Sequence, residues 1–233
     1  MHAHSAHLTT PSQPGRRLQW RSLALKSIAF GMALAATAPV QAKTFHCGAG
    51  DVPCLIAAIT EANTNGQKKN RIQLDAGTYT LMAADNDTDG PNGFPSITGD
   101  LDITGARDEA AATIIERQAS ASPFRLIHVA ATGQLTLKRL TLRGGGPFLF
   151  PLLSGGGLFN RGGTVTITDS TLTNNVARFG GALYNDGGTV TLTHSILSGN
   201  IATTSFSGGG GLVNDRGTVT LTRSTLANNV SVS

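Results

Sequence analysis

Residues 160–175 read NRGGTVTITDSTLTNN, and two similar segments follow: NDGGTVTLTHSILSGN at 185–200 and NDRGTVTLTRSTLANN at 214–229. The first Asn of each copy recurs at spacings of 25 and 29 residues, and the second Asn always lies 15 residues after the first. Residues 134–144 (QLTLKRLTLRG) fit as a degenerate earlier copy. Internal periods of about 20 to 50 residues are typical of solenoids and related repeat architectures.

The length of the repeat decides among these architectures. Strands of three to five residues cannot bury one face alone, but a coil with three short strands per turn stacks each turn on the next at about 4.8 Å. A propeller blade would need about 40 to 45 residues. The sequence therefore predicts an all-β fold, a right-handed parallel β-helix with a short N-terminal capping helix.

Stacking turns this repeat into columns of equivalent side chains. The predicted interior columns are Leu158/Leu183/Leu212, Val165/Val190/Val219, Ile167/Leu192/Leu221, Leu172/Leu197/Leu226 and Val176/Ile201/Val230. The Thr residues between them are predicted to face water. Asn tolerates bends and forms stacked amide ladders. Two such ladders are predicted at bends, Asn160/Asn185/Asn214 and Asn175/Asn200/Asn229.

The charge distribution argues against nucleic-acid binding. The chain has 233 residues, 14% charged and 29 Gly, a composition typical of an extracellular β protein rich in turns. Its net charge of +4 comes from residues 1–42, which carry four basic and no acidic residues. The remainder has 18 − 4 = 14 basic against 14 acidic residues, so it offers no basic field for phosphates.

Residues 1–42 resemble a secretory signal peptide with a long n-region. Basic residues precede the apolar run SIAFGMALAATAPV, and Val40-Gln41-Ala42 predicts cleavage after Ala42. An uncleaved anchor is the alternative, and no transmembrane segment is expected in the mature chain. In an exported protein Cys47 and Cys54 are expected to form a disulfide, with two free thiols as the alternative.

A family resemblance rests on three segments in order. LIAAITEAN (55–63) resembles the core of the CSLREA domain, IQLDAGTYTL (72–81) resembles the strand that follows it, and GDLDITG (99–105) the next element. The mature chain is similar to right-handed parallel β-helix proteins with this domain, and to autotransporter passenger and polymorphic outer-membrane protein repeats. The resemblance implies secretion and a surface role, with no established catalytic residue.

This organisation divides the chain into residues 1–42 as signal peptide, 43–98 as a CSLREA-like cap region and 99–233 as β-helix repeats. The open C-terminal end of a β-helix exposes unpaired strands and apolar columns. We expect either a fragment of a longer passenger or a last turn that pairs with another chain in end-to-end self-association.

The loop DNDTDGPNG (85–93) carries Asp85, Asp87 and Asp89 at the first, third and fifth positions of an EF-hand-like pattern, followed by Gly90. A weak calcium site is one interpretation, and a solvated acidic loop is the other. No other cofactor is expected. The loop is expected to lie far from the repeats.

Asp186 and Asp215 follow equivalent Asn residues, so stacking would place them about 5 Å apart, the separation typical of retaining glycosidases. Because Arg161 holds the same position one turn earlier, a surface charge ladder is the favoured interpretation. His194 stacks between Asp169 and Arg223, but the adjacent Ser195 is expected to point the other way.

Two function classes remain. The first is a secreted, cell-surface or outer-membrane, adhesin-like β-helix scaffold without catalytic activity, whose partner would be a surface glycan or a protein of a host or neighbouring cell. The second is a carbohydrate-active enzyme, a polysaccharide lyase or glycoside hydrolase, on the same fold. The two classes are separated by whether one side of the coil collects acidic and basic residues with an aromatic platform, which would favour the enzyme. Phe159 and Tyr184 share a column that Val213 ends. Contact with sugar is one interpretation of this short aromatic stripe, and cover of the junction between two turns is the favoured one.

Overall fold

The chain forms a parallel β-solenoid of about six turns. A computed structural model describes residues 42–107, 112–146, 154–204 and 208–232. Apart from Ala42, the predicted signal peptide lies outside the described residues. The right hand expected for parallel crossovers stays a prediction. In the described part of the chain no helix is both long and apolar enough to cross a membrane.

Within the described ranges the strands form four parallel sheets that run along the coil. Sheet 1 contains, in spatial order, β1 (Lys43–Cys47), β2 (Asn70–Leu74), β4 (Asp100–Thr104), β7 (Gln134–Lys138), β10 (Thr164–Thr168), β14 (Thr189–Thr193) and β18 (Thr218–Thr222). Sheet 2 contains β3 (Gly77–Leu81), β5 (Thr113–Arg117), β8 (Thr141–Arg143), β11 (Thr171–Thr173), β15 (Ile196–Ser198) and β19 (Thr225–Ala227). Sheet 3 contains β6 (Ile127–Val129), β9 (Leu158–Arg161), β13 (Leu183–Asp186) and β17 (Leu212–Asp215), and sheet 4 contains β12 (Val176–Ala177), β16 (Ile201–Ala202) and β20 (Val230–Ser231).

The strand register confirms the predicted alignment of the repeats. Val165 pairs with Val190, and Val190 pairs with Val219, so equivalent residues stack without a shift. Gln134–Lys138 pairs with Thr164–Thr168, which confirms the degenerate copy as the preceding turn. The interior side chains of the middle turns are fully buried, whereas Leu221 and Leu226 in the outermost turn are 43% and 46% exposed.

One predicted interior column is wrong. Val176 and Ile201 are half-buried and Val230 is exposed, while the next residues, Ala177 and Ala202, are buried. The reason is lack of room, because the glycine-rich segment that leads into sheet 3 packs backbone to backbone against sheet 4. A Cβ atom added to Gly181 would lie 2.6 Å from the carbonyl oxygen of Ile201. With the two backbones this close, the interior has room for the methyl group of Ala177 or Ala202 but not for a larger side chain.

The bends depend on left-handed backbone conformations. Asp169, His194 and Arg223 each have φ of 49° in the turn between sheet 1 and sheet 2. The longer spacing between the second and third repeats is absorbed at one corner, where the connection grows from residues 178–182 to residues 203–211. The strands on either side keep their register.

The Asn ladders differ in position from the prediction that both lie at bends. Asn160 and Asn185 lie within β9 and β13 and are fully buried, and Nδ2 of each donates to Oδ1 of the next Asn at 2.7 Å. The same amide groups also donate to the carbonyl oxygens of Gly163 and Gly188, three residues later in the chain, at 2.9 Å. This ladder therefore satisfies polar backbone inside the coil, where an unpaired carbonyl would be costly.

The second ladder lies directly after a bend. Asn175 Nδ2 lies 3.1 Å from Asn200 Oδ1, and Asn200 Nδ2 lies 2.9 Å from Asn229 Oδ1. The residue before Asn175, Asn174, adopts the left-handed conformation with φ of 53°. Here the neighbour of the ladder residue, and not the ladder residue itself, has the conformation that Asn tolerates well.

The region 43–98, predicted as a cap region, already contributes β1, β2 and β3 to sheets 1 and 2. Helix α1 (Val52–Thr64) follows β1, and Asp51 caps it by accepting a hydrogen bond from the Cys54 amide at 2.9 Å. The buried face of the helix packs against the first strands of the coil. Cys47 and Cys54 are joined in a disulfide that ties β1 to the start of the helix.

Candidate functional site

The outward side of sheet 3 carries two columns of side chains that the repeat does not require for packing. Strand alternation turns Leu158 and Asn160 inward, so Phe159 and Arg161 point outward. In register, the first outward column is His128, Phe159, Tyr184 and Val213, and the second is Arg161, Asp186 and Asp215. We call these seven residues the outer face.

The aromatic column extends beyond the strands. The ring centroids of Phe159 and Tyr184 lie 5.6 Å apart at an edge-on angle of 68°, and Phe179 lies 6.4 Å from Tyr184. Phe159 is nearly buried, whereas Tyr184 and Phe179 are half-buried and present ring surface to solvent. The guanidinium groups of Arg125 and Arg178 lie over Phe159 and Phe179, at 4.7 and 5.0 Å from the centroids.

The two carboxylates of the charged column share one cation. Nη2 of Arg216 donates to Oδ1 of Asp186 at 2.7 Å, and Nε of Arg216 lies 3.3 Å from Oδ1 of Asp215. The hydroxyl of Tyr184 lies 3.4 Å from Oδ2 of Asp215. Burial, followed by the negative charges of Asp215 and Asp186, raises the pKa of Tyr184. The hydroxyl therefore stays protonated as a donor toward ligand or carboxylate.

Sequence reasoning missed Arg216, although the repeat contained a signal for it. Its positions in the two earlier copies are Gly162 and Gly187, both with positive φ, and Arg216 itself adopts φ of 56°. A non-glycine residue in this conformation is uncommon. An Arg at a position that is otherwise Gly is therefore a deviation that marks the charged column.

The acidic loop lies against the repeats, and the expectation that it is far from them is wrong. The carboxylate of Asp89 forms an ion pair with Arg161 and approaches Nε2 of His128 at 3.3 Å. The carbonyl oxygen of Asp89 accepts a hydrogen bond from Nη2 of Arg125 at 2.9 Å. The loop thus crosses the outer face at β6 and β9.

His128 is a buried histidine between charges of opposite sign. It is 1% exposed, and its Nδ1 lies 2.8 Å from Oγ of Ser96. Desolvation, followed by repulsion from Arg125, lowers its pKa to about 4. With this pKa the His128 ring is neutral at neutral pH, and it packs 5.5 Å from the Phe159 ring. Its contact with Asp89 lacks hydrogen-bond geometry.

Arg125 is a buried cation with incomplete hydrogen bonding. Its side chain is 1% exposed, and burial lowers its pKa to about 10, against the opposing effect of Asp87. Nε and Nη1 have no hydrogen-bond acceptor among the described residues. A buried guanidinium in this state is energetically expensive, and such groups are typical of functional sites.

The three acidic residues of the loop do not converge. Asp89 is turned toward Arg161, and Asp85 accepts a hydrogen bond from the neighbouring Asn86 at 3.1 Å. Asn92 closes the loop by donating to Asn86 Oδ1 and the Thr88 carbonyl. Among the residues that the structure describes, no group of three acidic, His or Cys side chains could hold a metal ion.

A different set of charged side chains, Asp169, His194 and Arg223, is dispersed on the surface. Nδ1 of His194 lies 3.8 Å from Oδ1 of Asp169, and Nε2 lies 3.4 Å from Nη1 of Arg223. Ser195 is 1% exposed, and its hydroxyl donates to the carbonyl oxygen of Thr193 inside the coil. The structure therefore assembles no Ser–His–Asp arrangement here.

No family model matches this chain, and no curated protein or solved structure matches it either.

Proposed function

We propose that the chain is a secreted or cell-surface parallel β-helix scaffold without catalytic activity, which acts in an adhesin-like way by binding a surface glycan on its outer face. The observation that carries the proposal is the half-exposed aromatic pair Phe179 and Tyr184, of which Tyr184 lies directly beside the column of Arg161, Asp186 and Asp215. Sugar-binding sites of proteins combine these two elements.

The chemistry of the outer face fits a saccharide. A sugar ring has apolar C–H faces that pack on aromatic rings, and hydroxyl groups that both donate and accept hydrogen bonds. Asp186 and Asp215 supply acceptors, while Arg161, Arg216 and the Tyr184 hydroxyl supply donors. Sites of this kind place a few polar groups around an apolar platform.

The scaffold supports an extended ligand. The hydrogen-bonded ladder of Asn160 and Asn185 fixes the turns relative to each other, so the outer side chains repeat at the strand spacing of about 4.8 Å. A linear polysaccharide repeats its sugar unit along its length. A row of regularly spaced outward side chains on a rigid coil matches this repeat better than a single pocket would.

Secretion is supported by the predicted leader and by the disulfide of Cys47 and Cys54, because disulfides persist in oxidising compartments. The similarity to CSLREA-domain β-helix proteins and to outer-membrane passengers supports a place at the cell surface.

Polysaccharide cleavage is the second candidate, and the alignment of Asp186 with Asp215 on neighbouring strands favours it. Glycosidases need one carboxyl group that carries a proton and a second that is ionised. Arg216 forms an ion pair with each of the two carboxylates, so the same cation engages both. This shared pairing favours binding over acid–base catalysis.

The test is a glycan array with the full chain exported to an oxidising compartment, combined with a polysaccharide depolymerisation assay. We expect binding that Tyr184→Ala abolishes and Thr166→Ala, on the outward side of sheet 1, leaves unchanged. Depolymerisation that disappears in Asp186→Asn or Asp215→Asn would establish the enzyme instead. Binding of a protein but of no glycan would reject the glycan assignment.

A further inference from the structure

Two guanidinium groups and one neutral imidazole from different places in the chain surround a single loop residue, Asp89. Arg161 of β9 forms an ion pair with Asp89, and His128 of β6 and Arg125, which precedes β6, contact the same residue. Asp89 reaches this position from a loop outside the coil, with φ of 57°. This is the arrangement of an anion site that the chain's own carboxylate occupies.

The positive charge of this site exceeds what Asp89 neutralises directly. Its carboxylate contacts Arg161, while Arg125 meets only the carbonyl oxygen of Asp89. Arg125 forms no ion pair within the described ranges, and two of its nitrogens have no acceptor. The Asp89 carboxylate therefore pairs with Arg161 alone, while the charge of Asp87 acts on Arg125 from the same loop. Because Arg125 is buried, its electrostatic attraction for an anion is stronger than in water.

The anion site adjoins the aromatic platform. The guanidinium of Arg125 lies over the ring of Phe159, which in turn contacts Tyr184. Arg161 is next to Phe159 in the outward row and pairs in register with Asp186. An anionic substituent at the position of Asp89 would thus belong to a ring that packs on Tyr184.

We propose that the outer face is specific for glycans that contain uronic acid, with the sugar carboxylate paired to Arg161 in the place that Asp89 holds in the free protein. The sugar ring packs on Tyr184, and its hydroxyl groups bind Asp186 and Asp215. The proposal rests on the proposed glycan-binding function. It assigns a carboxylate, rather than a sulfate, because the group that fills the site in the chain itself is a carboxylate.

Displacement of Asp89 is sterically and energetically feasible. The side chain of Asp89 is 27% exposed and that of Arg161 is 55% exposed, so the ion pair is partly solvated. Ion pairs of this kind contribute little and exchange partners readily. A ligand carboxylate gains the same contact and adds the packing of its ring.

Four proteins and three probes test the proposal. The probes are oligogalacturonate, its fully methyl-esterified form, which keeps the sugar rings but removes the charge, and a sulfated oligosaccharide. The proteins are the parent, Arg161→Gln, Asp89→Asn and, as a matched loop control, Asp85→Asn, because the exposed carboxylate of Asp85 accepts from the neighbouring Asn86. Asn tolerates the left-handed backbone at position 89, so Asp89→Asn removes only the charge. Thermal melts confirm that each variant folds, and Arg161→Lys is the second variant should Arg161→Gln fail to fold.

The parent is expected to bind oligogalacturonate about threefold to fivefold more tightly than the methyl ester. Arg161→Gln removes this difference and retains binding of the ester, and Arg161→Lys keeps part of the difference. Asp89→Asn tightens oligogalacturonate binding by about threefold to fivefold, and Asp85→Asn matches the parent. High salt reduces the difference as well.

Equal binding of the two forms, or a difference that survives Arg161→Gln, would overturn the proposal. Tighter binding of the sulfated probe would overturn the carboxylate assignment. If the ester binds in a manner that depends on Tyr184 but charge has no effect, the glycan-binding function stands and the uronate inference falls. If neither probe nor any array glycan binds, the proposed function itself falls.

Discussion

Asn185 donates from Nδ2 to Oδ1 of Asn214 at 2.7 Å, yet the first residue is fully buried and the second is exposed at the outermost turn. The same hydrogen bond therefore joins two residues whose loss has different costs. Removal of a buried amide leaves its former partners unsatisfied, whereas water replaces an exposed one.

We expect Asn185→Ala to lower the free energy of unfolding by about 2 to 3 kcal/mol, because Asn160 Nδ2 and the Gly188 carbonyl both lose a partner. Asn214→Ala is the matched control and should cost less than about 1 kcal/mol. Urea titration followed by far-UV circular dichroism measures both. Equal losses for the two variants would contradict a role for burial.

Two adjacent glycines make a second test. A Cβ atom at Gly188 would overlap the amide of Asn160, so Gly188→Ala should break the ladder and reduce stability by at least about 2 kcal/mol. Gly187 has φ of 71° and open space around it. Gly187→Asn should cost about 1 kcal/mol or less, because Asn accepts this conformation and Arg216 already does so one turn later. A reversed order of the two melting temperatures would rule out the steric explanation.

The buried His128 predicts a pH dependence of stability. Its pKa is lowered to about 4 in the folded chain against 6.5 for an ordinary histidine. The unfolded chain therefore takes up the proton first as pH falls below 6.5, so stability decreases between pH 6.5 and about 4 and this contribution is flat outside that window. The loss is at most about 3 kcal/mol. Asp89, 3.3 Å from His128, opposes the shift and makes the loss smaller.

His128→Gln keeps a polar group toward Ser96 without a titrating ring, and it should flatten the pH profile of unfolding between pH 6.5 and 4. Denaturant titrations at half-unit pH steps measure the slope. A variant with the slope of the parent would show that another group carries the dependence.

The disulfide predicts a modest dependence on redox conditions. Cys47 and Cys54 close a loop with a sequence separation of 7, for which the loss of unfolded-chain entropy is worth about 2 kcal/mol. The double variant Cys47→Ser/Cys54→Ser should unfold at lower urea by that amount. Reductant should bring the parent to the same midpoint and leave the variant unchanged. A parent that is insensitive to reductant would contradict this contribution.

The repeat made the coil predictable, since residues such as Val165, Val190 and Val219 recur at fixed distances from the Asn pairs and stacking follows from that spacing alone. The prediction from sequence was wrong where either of two neighbouring residues could have pointed into the interior. At Val176 and Ala177, hydrophobicity favours Val, but close approach of the glycine backbone admits only Ala. The local pattern of hydrophobic residues contains no information on the distance between these two backbones.

The outer face was predictable only in part. The alignment of Phe159 with Tyr184 and of Asp186 with Asp215 follows from the repeat. The contact of Asp89 with Arg161 spans 72 residues and joins a loop to a strand with no repeat relation between them, so no periodicity points to it. His128 could have been aligned, because RLIHV alternates like the strands that follow it.

At the corner between β16 and β17, the length of the connection changes without a change in strand register. Four more residues are present there than in the preceding turn, 203–211 against 178–182, and the paired strands remain aligned. The number of residues at this corner therefore does not affect the hydrogen bonds between paired strands. It makes the corner a natural grafting position, where a foreign peptide would be displayed beside the outer face while every rung of the coil keeps its pairing.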